Sequence, residues 1–579
     1  MIVFMKLFKY KIVYGLLMLC ALNLFFMHIN VLFVSQIEEP LDGISWIDNV
    51  CRVLLDVCLF FAISVVLMCG RLRLSIIMTF IVTYIWSFSN VIYSRFFYHY
   101  ITLSSICEVG ALADGLVIDS LMAGIRVSDS YYVLALFLFI WLYRRCTFPD
   151  VMLLRYIRIC VTILISIYVL DLVSHVLYCV SQPELRYWGY CKRRIGRRVF
   201  GQNHFFALPI YAHFHNGSIK SLILESFMTI RGEMELNEIQ RDYILEALKQ
   251  SEESMVKTVR DEKIKNLIFI LVESQMSFVI DKMVDGKEIT PYLNSLKSDS
   301  SVYYNGNVRP NITIGESSDG QYIYMTGVLP LRSILTVSKA CKKKLPGLPK
   351  QLKKVGIEHS RMILPTSPSL WRQDEMCQQY GFEHLYSSND YPGEHKQTLT
   401  DKQVFELAGK LDSEESDAPF FSIVLTASMH QPYNRLLDPS FEINDPSIDE
   451  ELKCYLNACH YTDEAIGSYL NSLKNKKLYN NSIIVIASDH HVHSTDFGGG
   501  ISTDIPLFII NLDHPSLYVG PCNQLDVYTT IVDIMNIPNS WPGLGYSLLN
   551  PKYNHIDLNK RWNVSEWLLL SNYFESSKM

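Results

Sequence analysis

Glu273, Ser317, Asp489 and His490 lie far apart in the chain, yet they are the residue types that hold a cation beside a nucleophile. Two carboxylates and an imidazole form a donor set suited to Zn2+ or Mn2+. A serine hydroxyl next to such a cation gives up its proton more readily, as metal-bound water does. Ser317 stands in the turn Gly315-Glu-Ser-Ser-Asp-Gly320, and its oxygen is the one expected to attack phosphorus while a cation neutralises the phosphoryl oxygens. Taken singly, each residue also has an ordinary explanation. A glutamate after a strand caps a helix or pairs with a base, an Asp-His pair lies exposed, and Ser-Ser-Asp-Gly makes a routine turn. The elements that carry these residues decide between the two readings.

Leu267–Val272, Phe420–Leu425 and Ser482–Ala487 are continuous apolar runs of strand length, as expected for strands buried on both faces. Leu507–Ile510 adds a shorter run, and Ile448–Leu473 has helical character. Strands alternating with helices predict an α/β domain on a largely parallel sheet, whose active groups lie beyond the carboxyl ends of its strands. That rule selects Glu273 after the first run, Ser428 and His430 after the second, and Asp489 and His490 after the third. His491 and His493 bring further imidazoles to the same loop, one of them suited to protonate a leaving oxygen; a surface position is the alternative for both.

The first third of the chain is of another kind. Of the 579 residues 49% are hydrophobic, and the excess is concentrated in residues 1–182. Five stretches approach the roughly 20 apolar residues that span a bilayer: Ile12–Val34, Val50–Cys69, Leu74–Phe96, Tyr131–Tyr143 with its flanks, and Ile159–Val180. Ile101–Ile125 is interrupted by Glu108, Asp114 and Asp119, which suits an interfacial or re-entrant helix. Basic residues before the first span, between the second and third, and between the fourth and fifth put those loops in the cytoplasm. Five spans then place the amino terminus inside and everything after residue 182 outside. The first span is too long for a signal-peptide core and has no small-x-small site. Residues 183–260 read as a juxtamembrane connector, with a basic cluster from Lys192 to Arg198 and helical spacing over Leu236–Lys257. The extracytoplasmic domain is 261–579.

A net charge of −6 leaves no basic footprint for nucleic acid. Of the 14 cysteines, those in the apolar third behave as small buried hydrophobes; Cys191, Cys341, Cys377, Cys454, Cys459 and Cys522 leave room for one or two bridges.

Val272-Glu-Ser-Gln-Met-Ser-Phe-Val-Ile280, Gly315-Glu-Ser-Ser-Asp-Gly-Gln321, Tyr324-Met-Thr-Gly-Val-Leu-Pro-Leu331 and Ser488-Asp-His490 together resemble the lipoteichoic acid synthases and related phosphoglycerol transferases of the alkaline phosphatase and sulfatase superfamily. The resemblance extends to the five amino-terminal spans and to Gln524–Asp533 with Gly543–Ser547. It implies a five-helix transmembrane domain followed by a sulfatase-like α/β domain, with one divalent ion, Mn2+ or Zn2+, on Glu273, Ser317, Asp489 and His490, and with Ser317 as the residue phosphorylated. The family usually has threonine there; serine keeps the hydroxyl. Thr426-Ala-Ser-Met-His-Gln-Pro-Tyr433 is similar to the stretch whose histidine contacts substrate phosphate, which nominates His430. Trp371-Arg-Gln-Asp374 partly resembles the headgroup motif, so Trp371 carries over directly and Arg372, one position early, stands in for its arginine. Tyr461-Thr-Asp463 also resembles a family segment, but on a helix it suits packing better than catalysis.

These readings predict a transferase that moves a phosphate-linked headgroup from phosphatidylglycerol or phosphatidylethanolamine to a glycan or polymer acceptor outside the cytoplasmic membrane. Phosphoglycerol is preferred over phosphoethanolamine because phosphoethanolamine transferases usually carry Gly-Glu-Thr where this chain has Val272-Glu-Ser274. A sulfatase proper needs a Cys/Ser-x-Pro-x-Arg setting that Ser317–Gln321 lacks. A catalytically dead sensor or scaffold is the rival from another class, and the retained Glu273, Ser317, Asp489 and His490 argue against it.

Overall fold

The computed structural model describes residues 2–35, 43–107, 122–146, isolated positions between 161 and 213, 217–230, 232–257, 265–393, 398–414, 418–492, 497, 500–512, 518–553 and 556–576. They group into two compact units, one holding the helices before residue 231 and the other nearly everything from Gly232 onward.

The first unit contains α1 (Ile2–Ser35), α2 (Gly43–Leu67), α3 (Leu72–Phe97), the short α4 (Leu103–Cys107), α5 (Ser130–Arg145) and α6 (Ser218–Ile230). α1 packs along α3 and α2, burying Leu16, Leu24, Val31, Ile76, Phe80 and Val91. Phe80 stacks on Phe139 of α5 with ring centroids 3.8 Å apart. Among the described residues two helices, over Ile12–Ser35 and Leu72–Phe97, are long and apolar enough to cross a membrane. α2 and α5 occupy the positions of the second and fourth expected spans. Most of Ile159–Val180, the centre of Ile101–Ile125 and the whole Lys192–Arg198 cluster lie outside the described residues. Arg95, in the last turn of α3, is held by both oxygens of Asp129 at 2.7 and 2.8 Å. That bidentate pairing is what makes a buried guanidinium tolerable in so apolar a unit.

In the second unit the chain order is α7 (Glu238–Ser254), β1 (Asn266–Val272), the hairpin β2 (Met283–Val284) and β3 (Lys287–Glu288), α8 (Pro291–Ser298), β4 (Val302–Arg309), α9 (Ser317–Thr326), β5 (His359–Ile363), α10 (Gln373–Tyr380), β6 (His384–Tyr386), α11 (Asp401–Glu414), β7 (Phe420–Leu425), α12 (Glu450–Asn475), β8 (Ser482–Ser488), β9 (Ile505–Ile510), β10 (Cys522–Asn523), α13 (Gln524–Ile534) and α14 (Leu558–Leu570), with short helical turns between them. The expected helix over Leu236–Lys257 is thus α7, shortened at its start by a capping box between Asn237 and Gln240. It packs against α14. The residues just after it are fixed by Asp533, whose carboxylate accepts the Val256 and Lys257 N–H groups at 2.9 and 2.8 Å.

Eight strands form the central sheet in the order β10-β4-β9-β8-β1-β7-β5-β6. β9 is antiparallel to both its neighbours, while the other pairings are parallel, so β9 alone runs against the rest. Every residue of β1 and β8 is buried, which explains why the sequence shows unbroken apolar runs there instead of alternation. Each fully buried Leu, Ile or Phe in these strands contributes about 1.5–3 kcal/mol.

α12 begins at Glu450 because Asp449 caps it through the Glu451 N–H. On that helix Thr462 donates to Asp401 at 2.6 Å and Asp463 accepts the Tyr292 and Leu293 N–H groups, both at 2.8 Å, capping α8. The Tyr461-Thr-Asp463 segment thus serves packing. Arg361 of β5 pairs with Asp412 of α11 at 2.6 Å, and Tyr469 of α12 donates to the second Asp412 oxygen at 2.8 Å. Cys341, Cys377, Cys454, Cys459 and Cys522 are free thiols.

Candidate active and metal site

The central three strands deliver the site. β1 lies between β8 and β7, with Val272 paired to Ser488 and Leu271 to Leu425. The next residues, Glu273, Asp489 and Thr426, therefore emerge side by side at one edge. Their backbones stay linked one step past the ladder: the Asp489 N–H donates to Val272 O at 3.0 Å and the Thr426 N–H to Leu271 O at 3.1 Å. The Thr426 hydroxyl then accepts the Glu273 N–H at 2.9 Å.

Ser317 comes to this edge from elsewhere. It is the first residue of α9, and the residue before it, Glu316, has φ 43° and ψ −117°, a conformation that costs a non-glycine residue of order 1–3 kcal/mol. Asp319 holds the turn together. One of its oxygens accepts the Thr313 N–H at 3.0 Å, the Thr313 hydroxyl at 2.7 Å and the Gly315 N–H at 3.0 Å. Gly320 allows α9 to lie directly on the Asp489 loop, since a Cβ there would sit 2.1 Å from the Asp489 carbonyl oxygen. Tyr324, on the same helix, donates to Ser488 O at 2.7 Å.

The result is a tight cluster. The Ser317 hydroxyl lies 3.1 Å from Glu273 Oε2 and 3.1 Å from His490 Nε2. His490 Nε2 is 3.1 Å from Glu273 Oε1 and 3.7 Å from Asp489 Oδ2. Glu273, Asp489 and His490 are buried and each offers one donor atom within 4.8 Å of the others, whereas Ser317 is partly exposed. His490 Nδ1 lies 3.0 Å from the His491 carbonyl, which can only accept. Nδ1 therefore carries a proton, and Nε2 is the nitrogen that faces the cluster, where a cation would take the place of its proton.

Charge is unevenly shared. Burial by itself would raise Glu273, but the charge and hydrogen bond of His490 bring it down to about 2. Burial and the neighbouring Glu273 charge push Asp489 up to about 8. Burial opposes charge on His490 as well, yet Asp489 and Glu273 hold its pKa well above the usual histidine value. Two buried carboxylates share a single imidazole, and this is the environment in which a divalent cation fits.

Of the other residues selected from sequence, His430 is half-buried after β7 and its Nδ1 lies 2.6 Å from the Gln431 carbonyl. Trp371 and Arg372 follow β5, the strand next to β7, and both are left-handed, with φ 53° and 52°. Arg372 pairs with Glu375 at 3.3 Å and reaches Cys341 Sγ at 3.7 Å. His491 is half-buried beside His490, and His493 lies outside the described residues.

Two contributors stand within stretches quoted from sequence without a role assigned to them there. Ser274, left-handed at φ 52°, donates its N–H to Asp489 at 2.9 Å and its hydroxyl to Glu273 at 2.7 Å, bridging the two carboxylates. Gln524, fully buried, donates to the Asp489 carbonyl at 2.7 Å and accepts the Asn311 N–H at 2.9 Å. It thereby ties the loop that leads to Ser317 to the loop that carries Asp489. The unusual Ser274 backbone and the partners of Gln524 emerge only from the folded chain.

Residues 265–537 match the sulfatase family model. Lipoteichoic acid synthase 2 of Bacillus subtilis (strain 168) is 27% identical over 303 residues, covering 47% of this chain and 45% of that protein. Lipoteichoic acid synthase of Staphylococcus aureus (strain USA300) is 24% identical over 418 residues, covering 70% of this chain and 61% of that protein. The matched regions thus span less than two thirds of these relatives' lengths. Among solved structures, the integral membrane lipooligosaccharide phosphoethanolamine transferase A of Neisseria meningitidis is similar with a TM-score of 0.56 and 12% identity, over 93% of this chain and 98% of that one. That likeness shows the fold.

Proposed function

We propose, from the match of residues 265–537 to the sulfatase family model, that the protein is a membrane-anchored, metal-dependent transferase that moves phosphoglycerol from a phospholipid to a glycan or polymer acceptor of the cell envelope. The observation that carries this reading is the Ser317 hydroxyl lying 3.1 Å from both Glu273 and His490. Glu273, Ser317, Asp489 and His490 would hold one divalent ion, Mn2+ or Zn2+, which supplies positive charge that favours the seryl alkoxide and the developing phosphoryl oxyanions.

The chain's own residues perform the remaining steps. The Ser317 oxygen bonds to phosphorus as the bond to the diacylglycerol oxygen breaks, and the hydroxyl proton passes to Glu273 Oε2, the oxygen it already donates to. His430, whose Nδ1–H is committed to a carbonyl, presents Nε2 toward phosphate, and His491 or His493 returns a proton to the departing diacylglycerol oxygen. An acceptor hydroxyl then displaces Ser317 from phosphorus, giving its proton to the histidine that protonated diacylglycerol, while the Ser317 oxygen recovers its proton from Glu273. Trp371 and Arg372 receive the glycerol moiety. Residues 1–182 anchor the enzyme by five spans with the amino terminus cytoplasmic, residues 183–260 connect, and residues 261–579 work outside the membrane. Confinement of donor and enzyme to one surface raises their effective concentration.

The test is incubation of the purified full chain with headgroup-labelled phosphatidylglycerol or phosphatidylethanolamine, followed by intact-mass measurement of the parent and of Ser317→Ala. Label trapped by the parent alone, from phosphatidylglycerol alone, is expected. Trapping from phosphatidylethanolamine would make the protein a phosphoethanolamine transferase, and equal labelling of the variant would remove Ser317 as nucleophile.

A further inference from the structure

We propose that α6 is a lipid-facing helix whose edge of Ile223, Phe227 and Ile230 lies against the acyl chains of the bilayer; the inference rests on the membrane anchoring proposed above. Its polarity is inverted relative to a helix in water. Ser218, Ser221 and Glu225 are buried, while Ile223, Phe227 and Ile230, spaced i, i+4 and i+7, are 51%, 64% and 81% exposed. A helix on a soluble surface turns such a stripe toward the core and its polar groups outward.

Several of its polar groups are moreover satisfied without water. The Asp56 carboxylate accepts the Ser218 and Ile219 N–H groups at 2.7 and 3.2 Å, filling the start of the helix. Ser226 and Thr229 return their hydroxyls to carbonyls one turn back, at 2.7 and 3.0 Å. Thr79 and Thr83 do the same on α3, at 2.7 and 2.8 Å. The Glu225 carboxylate accepts the Leu103 and Ser104 N–H groups at 2.6 and 2.9 Å, at the start of α4. These bonds close donors and acceptors internally, as a hydrocarbon environment requires; the buried Ser218 hydroxyl is the exception.

Position supports the same conclusion. Asp56 stands near the middle of α2, and α6 therefore begins partway along that apolar helix instead of at its end. Gly217 makes the approach close, because at φ +79° its added Cβ would lie 3.0 Å from Asp56 Oδ2. Elsewhere on the same unit Phe33, Ile63, Val66, Ile81 and Ile85 are exposed as well, so the α6 edge has the character of the outer faces of the long helices.

The test uses the full chain in vesicles of phosphatidylglycerol and phosphatidylcholine that contain a phosphatidylcholine with a diazirine on its acyl chain. After photolysis, peptide mass spectrometry is expected to find adducts on Ile223, Phe227 or Ile230 as well as on Ile81 or Ile85, and none on Ser218 or Ser221. Hydroxyl-radical footprinting of the same vesicles is expected to leave Phe227 unoxidised. Adducts on α3 with none on α6, or oxidation of Phe227, would overturn the proposal and point to water, another protein or a second copy on that face. Absence of adducts from α3 as well would overturn the membrane anchoring itself.

Discussion

A single methyl group at Gly320 tests whether the dock between α9 and the Asp489 loop sets the geometry of the site. The added Cβ of Gly320→Ala would lie 2.1 Å from the Asp489 carbonyl oxygen, 2.8 Å from its carbonyl carbon and 2.9 Å from its Cα. All three are backbone atoms, so no side chain can rotate away. Contacts below 3.0 Å are essentially never found, and helix and loop must therefore part by about 0.9 Å. Ala is intrinsically the better helix residue by about 0.8–1.0 kcal/mol, whereas overpacking costs typically 1–3 kcal/mol; the expected loss of stability is thus only about 0–2 kcal/mol. The effect on rate is far larger, because a misplacement of about 1 Å at a reacting pair costs on the order of 100-fold. Headgroup transfer from labelled phosphatidylglycerol, measured beside thermal unfolding, should show the transfer rate falling about 100-fold while the unfolding temperature drops by only a few degrees. A variant that transfers at the parent rate would refute the idea that this contact places Ser317 against Glu273 and His490.

Gln524→Ala should reduce transfer while leaving a folded domain, since its bond to the Asp489 carbonyl is lost; parallel circular dichroism and transfer assays check this. Arg361→Met should cost about 3–5 kcal/mol by leaving Asp412 buried and unpaired, and Arg361→Met with Asp412→Leu should recover much of that loss, as read by urea unfolding. Stripping divalent cations with a chelator should lower the unfolding temperature, and adding Mn2+ or Zn2+ at 100 times its Kd should restore about 2.7 kcal/mol, by calorimetry. Ser317→Ala should keep that response, because Glu273, Asp489 and His490 remain.

The sheet was legible for a specific reason. β1, β7 and β8 are buried on both faces, so their sequences are unbroken apolar runs, and the residue after each run falls at the functional edge. Glu273, Asp489 and His490 were found in this way. Ser317 needed its motif, since it enters from a helix start and not from a strand. Ser274 and Gln524 stayed hidden because they act through backbone carbonyls and amides brought near only by folding, and a glutamine opening a helix gives no sign of the carbonyl it will reach. Arg361 drew no reading from sequence, because its partner Asp412 is brought to it only by folding. In the apolar third, Asp56 drew no reading from sequence, whereas it fills the start of α6, a helix that the mixed composition of residues 183–260 did not announce.

The pairing of Val272 with Ser488 has an evolutionary consequence. Glu273 and Asp489 are adjacent because of a hydrogen-bonded ladder, and sliding that ladder by one residue would turn both to opposite faces of the sheet. Their alignment is inherited from the most rigid part of the domain and tolerates little drift. The loops after β5 and β7, which carry Trp371, Arg372 and His430, have no such obligation. Selection can rework those loops for a new acceptor while the bond-making centre stays where the sheet puts it.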